Sequence, residues 1–238
     1  MTARKYAALH HSGARTVGTV AEVGVDADLV IVCVFTDEQV RAVCLDGELL
    51  ARMPAGSTLV VHTTASPATA EAVATRAAVR GIGVLDAAIS GGPHDIAAGQ
   101  LTLYVGGDKD TFDRTRPALA AYGDPILHVG AIGAGLRTKL VNNALFAAQL
   151  GLLADAVALA AHLGITEHAL LEALSHGSSG GRVIDRVAAR GSLTEFTTAV
   201  GGFLDKDVAV VERTAAELGG DLGALGTAIR ARRGVEHA

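Results

Sequence analysis

The stretch GAGLRTKLVNNAL, residues 133–145, sets Lys139 and Asn143 one helical turn apart, with Asn142 beside them, at the start of the longest apolar run in the chain. A lysine becomes a proton-transfer group when its pKa falls from its usual ~10.4, and burial is the common cause. A neighbouring asparagine can orient an oxygen atom through its amide. Two more polar groups stand where apolar runs end. HTTASP puts Thr63 and Thr64 after one run, and DAAISGGPHDIAAG puts Ser90, Gly91 and Gly92 after the next. A serine followed by two glycines lets a hydroxyl and backbone N–H groups approach an anion closely. Taken singly, these groups also read as a solvated helix start and an ordinary glycine turn.

The elements that would carry them follow from the patterning. DLVIVCVF (28–35), STLVVHT (57–63) and GVLDAAI (83–89) are the short apolar runs of strands covered on both faces. LTLYVGG (101–107) and PILHVG (125–130) complete the strand set, with a helix around 109–122 between them. SPATAEAVATRAAVRG (66–81) reads as a helix with Ser66 as N-cap, Pro67 in its first turn and Gly81 at its end. Thr19 and Glu22 have capping-box spacing for another helix start. From Leu136 to Leu163 the period becomes helical, and helices are expected near 166–175, 180–190, 201–218 and 222–233. The expected architecture is an α/β domain over 1–130, followed by an all-helical domain over 131–238. In open α/β sheets ligands bind beyond the carboxyl ends of the strands, where the Thr64 and Ser90 groups fall.

Composition narrows the classes. Half of the 238 residues are apolar, and the formal charge of -5 comes from interleaved acids and bases, so no nucleic-acid surface is indicated. Cys33 and Cys44 lack metal or redox spacing and read as reduced thiols of a cytoplasmic protein, with Cys33 inside a buried strand. No metal site is expected. Residues 144–164 are apolar enough to suggest a membrane span, yet Gln149, Asp155 and His162 interrupt them. An aspartate in mid-span costs about 3 kcal/mol, so a helix buried between protein layers or subunits is the better reading.

DAAISGG with AGQLTLYVGGD (86–108), GAGLRTKLVNN (133–143) and LDKDVAVV (204–211) occur in the order in which they stand in the β-hydroxyacid dehydrogenases. The chain resembles that family from about residue 3 to about residue 226. The resemblance implies an incomplete Rossmann-like parallel sheet domain, a helical domain that assembles a homodimer or larger homo-oligomer, and NAD or NADP as cofactor. It implies a small carboxylate substrate, a short 3-hydroxy acid or semialdehyde, with no nucleic acid or membrane partner. Lys139 would be the general acid/base, and Asn143 would orient the substrate oxygen. Ser90, Gly91 and Gly92 would hold the substrate carboxylate. Phe35 and Thr36, where the family usually has Leu-Pro, and Thr64 would line the cofactor side. Lys206, opening a helix, would close over the site.

The resemblance also implies what has no counterpart here. No G-x-G-x-x-G occurs, and the nearest match, GIGVLD (81–86), precedes a strand rather than following one. The family's first strand, first helix and second strand are missing, and with them the pyrophosphate turn and the residue that separates NAD from NADP. ARTV (14–17), matching the third strand, would lose its neighbour, DLVIVCVF would become a sheet edge, and residues 1–27 would be poorly anchored. Val61 stands where the family commonly has Asp, and His94 reads as a solvated loop histidine. Two further readings stand beside the dehydrogenase: a non-catalytic remnant serving as an oligomerisation or binding module, and an imine-reductase-like relative, which Lys139 disfavours.

Overall fold

The computed structural model describes residues 13–233. It contains two compact units, one running to Thr138 and the other starting at Lys139.

The first unit is built on five strands: β1 (Leu29–Val32), β2 (Thr58–Val61), β3 (Gly83–Ser90), β4 (Leu101–Gly107) and β5 (Gly123–Gly130). They lie in the order β1-β2-β3-β4-β5, parallel except for the antiparallel β3–β4 pair. That reversal departs from the expected parallel sheet. Residues 91–100 join β3 to β4, and a parallel crossover needs a dozen residues or more. Helices α1 (Val20–Val23), α2 (Asp37–Arg41), α3 (Leu49–Arg52), α4 (Pro67–Ala78), α5 (Pro93–Ala97) and α6 (Lys109–Leu119) fill the connections, with a π-turn at Ala42–Asp46 continuing α2. One core layer joins Val30, Val32, Leu59 and Val61 of the sheet to Val40, Val73 and Ala77. The other joins Val60, Leu85, Leu103 and Val105 to Phe112 and Leu119 of α6.

Several expectations change at the edge. Residues 14–17 form no strand, and residues 1–12 of the expected loose segment lie outside the described residues. Thr19 does cap α1, its hydroxyl oxygen accepting the Glu22 N–H. Among the described residues no strand lies beyond β1, and Ile31 is 40% exposed. Cys33, expected in a buried strand, follows β1 and is exposed, whereas Cys44 is the buried thiol, and burial pushes its pKa up to about 11. Ser66 occupies the N-cap position of α4 without a side-chain cap. Asp37 serves instead, accepting the Ser66 N–H at 2.8 Å and the Thr69 hydroxyl at 3.1 Å.

The second unit is helical: most of α7 (Ala134–His162), then α8 (Glu167–His176), α9 (Arg182–Arg190), α10 (Leu193–Glu217) and α11 (Gly223–Arg233). The helix expected from 201 begins at Leu193, since Ser192 caps it by accepting the Glu195 N–H at 3.1 Å. Leu140, Leu150, Leu171, Val187, Val208 and Ile229 build its core. By length and composition α7 could cross a membrane. Its packing explains the composition differently: Gly151 lets the α7 backbone approach α11 so closely that a Cβ would strike the Ala228 carbonyl. Gly151→Ala is therefore expected to cost about 2–3 kcal/mol through overpacking, read as a lower midpoint in thermal unfolding.

Candidate active site

In the first unit the parallel strands β1, β2 and β3 end on the same side of the sheet, and the polar groups singled out above stand there. Phe35 and Thr36 follow β1, Thr64 follows β2, and Ser90 ends β3. Thr63 ties two of these ends together, its hydroxyl donating to the Val34 carbonyl and accepting the Val34 N–H, both at 2.9 Å. Thr64 is buried, and Phe35 is 48% exposed. Gln39 reaches back from α2 to accept the N–H groups of Phe35 at 2.7 Å and Thr36 at 3.1 Å. Behind Thr63, the His62 Nδ1 donates to the Ala87 carbonyl at 2.5 Å, so its Nε2 accepts the Tyr122 hydroxyl at 2.7 Å. Burial lowers the His62 pKa and keeps this ring neutral.

The Ser90-Gly91-Gly92 turn holds a side chain of its own. Asp95, buried at the start of α5, accepts the Gly92 N–H at 2.6 Å and lies 3.3 Å from the His94 imidazole. Gly91 has φ 145, and a Cβ there would sit 2.7 Å from Leu101 and 2.9 Å from the Asp95 carboxylate. Glycine is required on both counts.

A second carboxylate, not singled out from the sequence, fixes the start of α7. Asp86 is fully buried in β3, and its two oxygens accept the N–H groups of Gly133 and Leu136, each at 2.7 Å. Burial raises its pKa to about 6, against the pull of these two hydrogen bonds. Gly106 and Gly135 leave the space that this contact needs. The available signal was one acidic residue inside an otherwise apolar strand.

The second unit gathers Lys139, Asn143 and Lys206. Lys139 is half-buried on α7, and burial lowers its pKa, with Asp207 opposing that shift and Lys206 and Arg186 adding to it. The Asn143 amide is buried and donates to Asp207 Oδ2 at 2.7 Å. Asn142 donates to Asn143 Oδ1 at 3.1 Å. The Lys206 ammonium lies 2.7 Å from Asp207 Oδ1. Lys206 does not open a helix, as the sequence suggested, because α10 starts three turns earlier. Asp207 is the residue missed here. It links Asn143 to Lys206 and was legible only as the acid of a Lys-Asp pair inside a helical run.

Residues 1–130 match the family model described as the NAD binding domain of 6-phosphogluconate dehydrogenase. Residues 133–233 match the one described as the NAD-binding region of NADP-dependent 3-hydroxyisobutyrate dehydrogenase. The NAD-dependent L-serine dehydrogenase of Pseudomonas aeruginosa is 36% identical over 155 residues, 65% of this chain and 52% of that protein. A probable 3-hydroxyisobutyrate dehydrogenase of Mycobacterium bovis is 36% identical over 179 residues, 75% of this chain and 59% of that one. The matches thus span between half and two-thirds of these relatives' lengths. The 3-hydroxyisobutyrate dehydrogenase of Mycobacterium tuberculosis, solved with L-serine, superposes with a TM-score of 0.83 at 27% identity, over 99% of this chain and 84% of that one. With the two family models matching residues 1–130 and 133–233 and relatives at 36% identity, the chain belongs to the β-hydroxyacid dehydrogenase family.

Proposed function

We propose that this protein is an NAD(P)-dependent oxidoreductase that moves hydride between nicotinamide and a short 3-hydroxy acid or semialdehyde. The observation carrying the reading is Lys139: a half-buried ammonium of lowered pKa on the same helix as Asn143, whose amide Asp207 orients. A lysine so placed takes a proton from the substrate hydroxyl on oxidation and returns it on reduction. Asn143 orients that oxygen. When bound, the nicotinamide supplies the hydride chemistry, while the protein supplies orientation and proton transfer.

The residues present fit the nicotinamide end of such a cofactor, with Phe35, Thr36 and Thr64 at the ends of β1 and β2. The pyrophosphate end fits less well. The starts of α2 and α4 are closed by Thr36, Gln39 and Asp37. That observation favours the second reading, a non-catalytic binding module. Titration with NADH and NADPH, followed by cofactor fluorescence, separates the two. Saturation in the micromolar range supports the enzyme, and no binding up to millimolar concentration supports the module.

We also read the helical unit as self-associating. Val141, Leu145, Leu152 and Leu159 form an exposed apolar stripe along α7, with exposed Leu163 just past its end and Leu152 at 59% and Leu159 at 61% exposure. The wild-type chain is expected to sediment as a dimer or larger assembly, and the Leu152→Lys, Leu159→Lys double variant as a monomer. Unchanged sedimentation of the variant would reject this interface.

A further inference from the structure

We infer that Arg232 is a positioning residue for the Lys139 site: its buried guanidinium holds Asp205, and through it the turn of α10 that presents Lys206 and Asp207 to α7. The inference rests on reading Lys139 as the proton-transfer group. It adds a residue with no exposed surface from which to meet substrate or cofactor.

Arg232 lies in the last turn of α11, and its guanidinium donates to Asp205 Oδ1. A buried guanidinium is costly to desolvate, and well-packed apolar side chains in place of such a pair are often as stable or more so. What the charged pair adds is direction, because the planar fork fixes where its carboxylate lies. The hydrogen bond therefore sets the rotation and height of α10 against α11.

The same turn of α10 is held from its other side. Asp205 and Asp207 stand roughly 200° apart around the helix, so one carboxylate reaches α11 and the other reaches α7. On α7 the Asn143 amide donates to Asp207 Oδ2 at 2.7 Å, and the Lys206 ammonium lies 2.7 Å from Asp207 Oδ1. The third side closes where the α7 backbone at Gly151 meets α11: a Cβ there would lie 3.1 Å from the Arg232 backbone nitrogen. Gly151 stands roughly 18 Å along α7 from Lys139, so Arg232 acts on the site through α10 and not by contact. Leu150, Val208 and Ile229 belong to the core that the three helices share, but apolar contact has no preferred direction.

The test follows two resonances in the full chain, the Asn143 side-chain amide and the Lys139 amine through its pH titration. The Asp205→Leu, Arg232→Met double variant exchanges the pair for apolar side chains and is expected to unfold at or above the wild-type temperature. It is nonetheless expected to move the Asn143 amide toward its solvent-exposed position. The Lys139 midpoint should fall by at least half of the shift that Asp207→Asn causes, because Asp207 outweighs Lys206 and Arg186 individually among the charges acting on it. Added to Asp207→Asn, the double substitution should move the midpoint no further. Arg232→Lys keeps the charge without the fork and should fall between wild type and the double variant. It carries the test if the double variant does not fold. Wild-type resonances and midpoint in these variants, or a shift that adds in full to that of Asp207→Asn, would reduce Arg232 to a structural role and overturn the inference. Neither readout needs cofactor or turnover, so failure of the cofactor titration would remove the dehydrogenase reading and leave this one standing.

Discussion

Replacing Lys139 with methionine is expected to lower hydride transfer by about 10³-fold, within the usual contribution of a general acid/base. Cofactor binding should be unchanged, because the loss falls on the proton-transfer step. The pH profile gives a sharper readout. In the direction of alcohol oxidation the amine must be neutral, so kcat rises with pH along a limb set by Lys139. Burial lowers that pKa, placing the limb below the ordinary lysine range. Arg186→Met removes a positive charge that disfavours the ammonium, and the limb should move to higher pH. Asp207→Asn removes the opposing carboxylate, and the limb should move lower. Profiles measured at saturating cofactor check both directions. A limb that ignores both substitutions would exclude Lys139 as the titrating group.

Asp86→Ala is expected to destabilise the first unit by about 3 kcal/mol. The substitution leaves the Gly133 and Leu136 N–H groups buried without an acceptor, and each orphaned group costs on the order of 1–3 kcal/mol. The native side chain also makes stability depend on pH. Its folded pKa, about 6, lies above the ordinary 3.8, so the folded state binds the proton more tightly. Asp86 therefore contributes most to stability below pH 3.8, and the contribution falls as pH rises through 6, by roughly 3 kcal/mol in all. Asp86→Asn carries no titrating proton and should flatten that part of the profile. Denaturant unfolding at intervals between pH 4 and pH 7 gives both the cost and the slope.

The two substitutions separate the roles of two neighbouring stretches. Asp86 holds the first turn of α7 through backbone N–H groups, and Lys139 stands one turn further along the same helix. Loss of the first should appear in stability, and loss of the second in rate at unchanged stability.

The sequence by itself determined the elements and the family. Apolar runs of four to eight residues placed all five strands, because a strand covered on both faces has no polar positions to spare. Helical periodicity placed the second unit for a similar reason, and Lys139 and Asn143 were legible because two polar residues on an apolar helix need a purpose. Tertiary structure decided what the runs could not encode. The antiparallel β3–β4 pair follows from a connection too short to cross over, and residues 14–17 form no strand. The partners of the carboxylates were also beyond reach: Asp86 meets amides 47 and 50 positions away, and Asp207 meets Asn143 across 64. Periodicity reports only which face of an element is buried. Which acid meets which donor depends on packing between elements distant in the chain, and there a buried carboxylate must find hydrogen bonds or lose its charge.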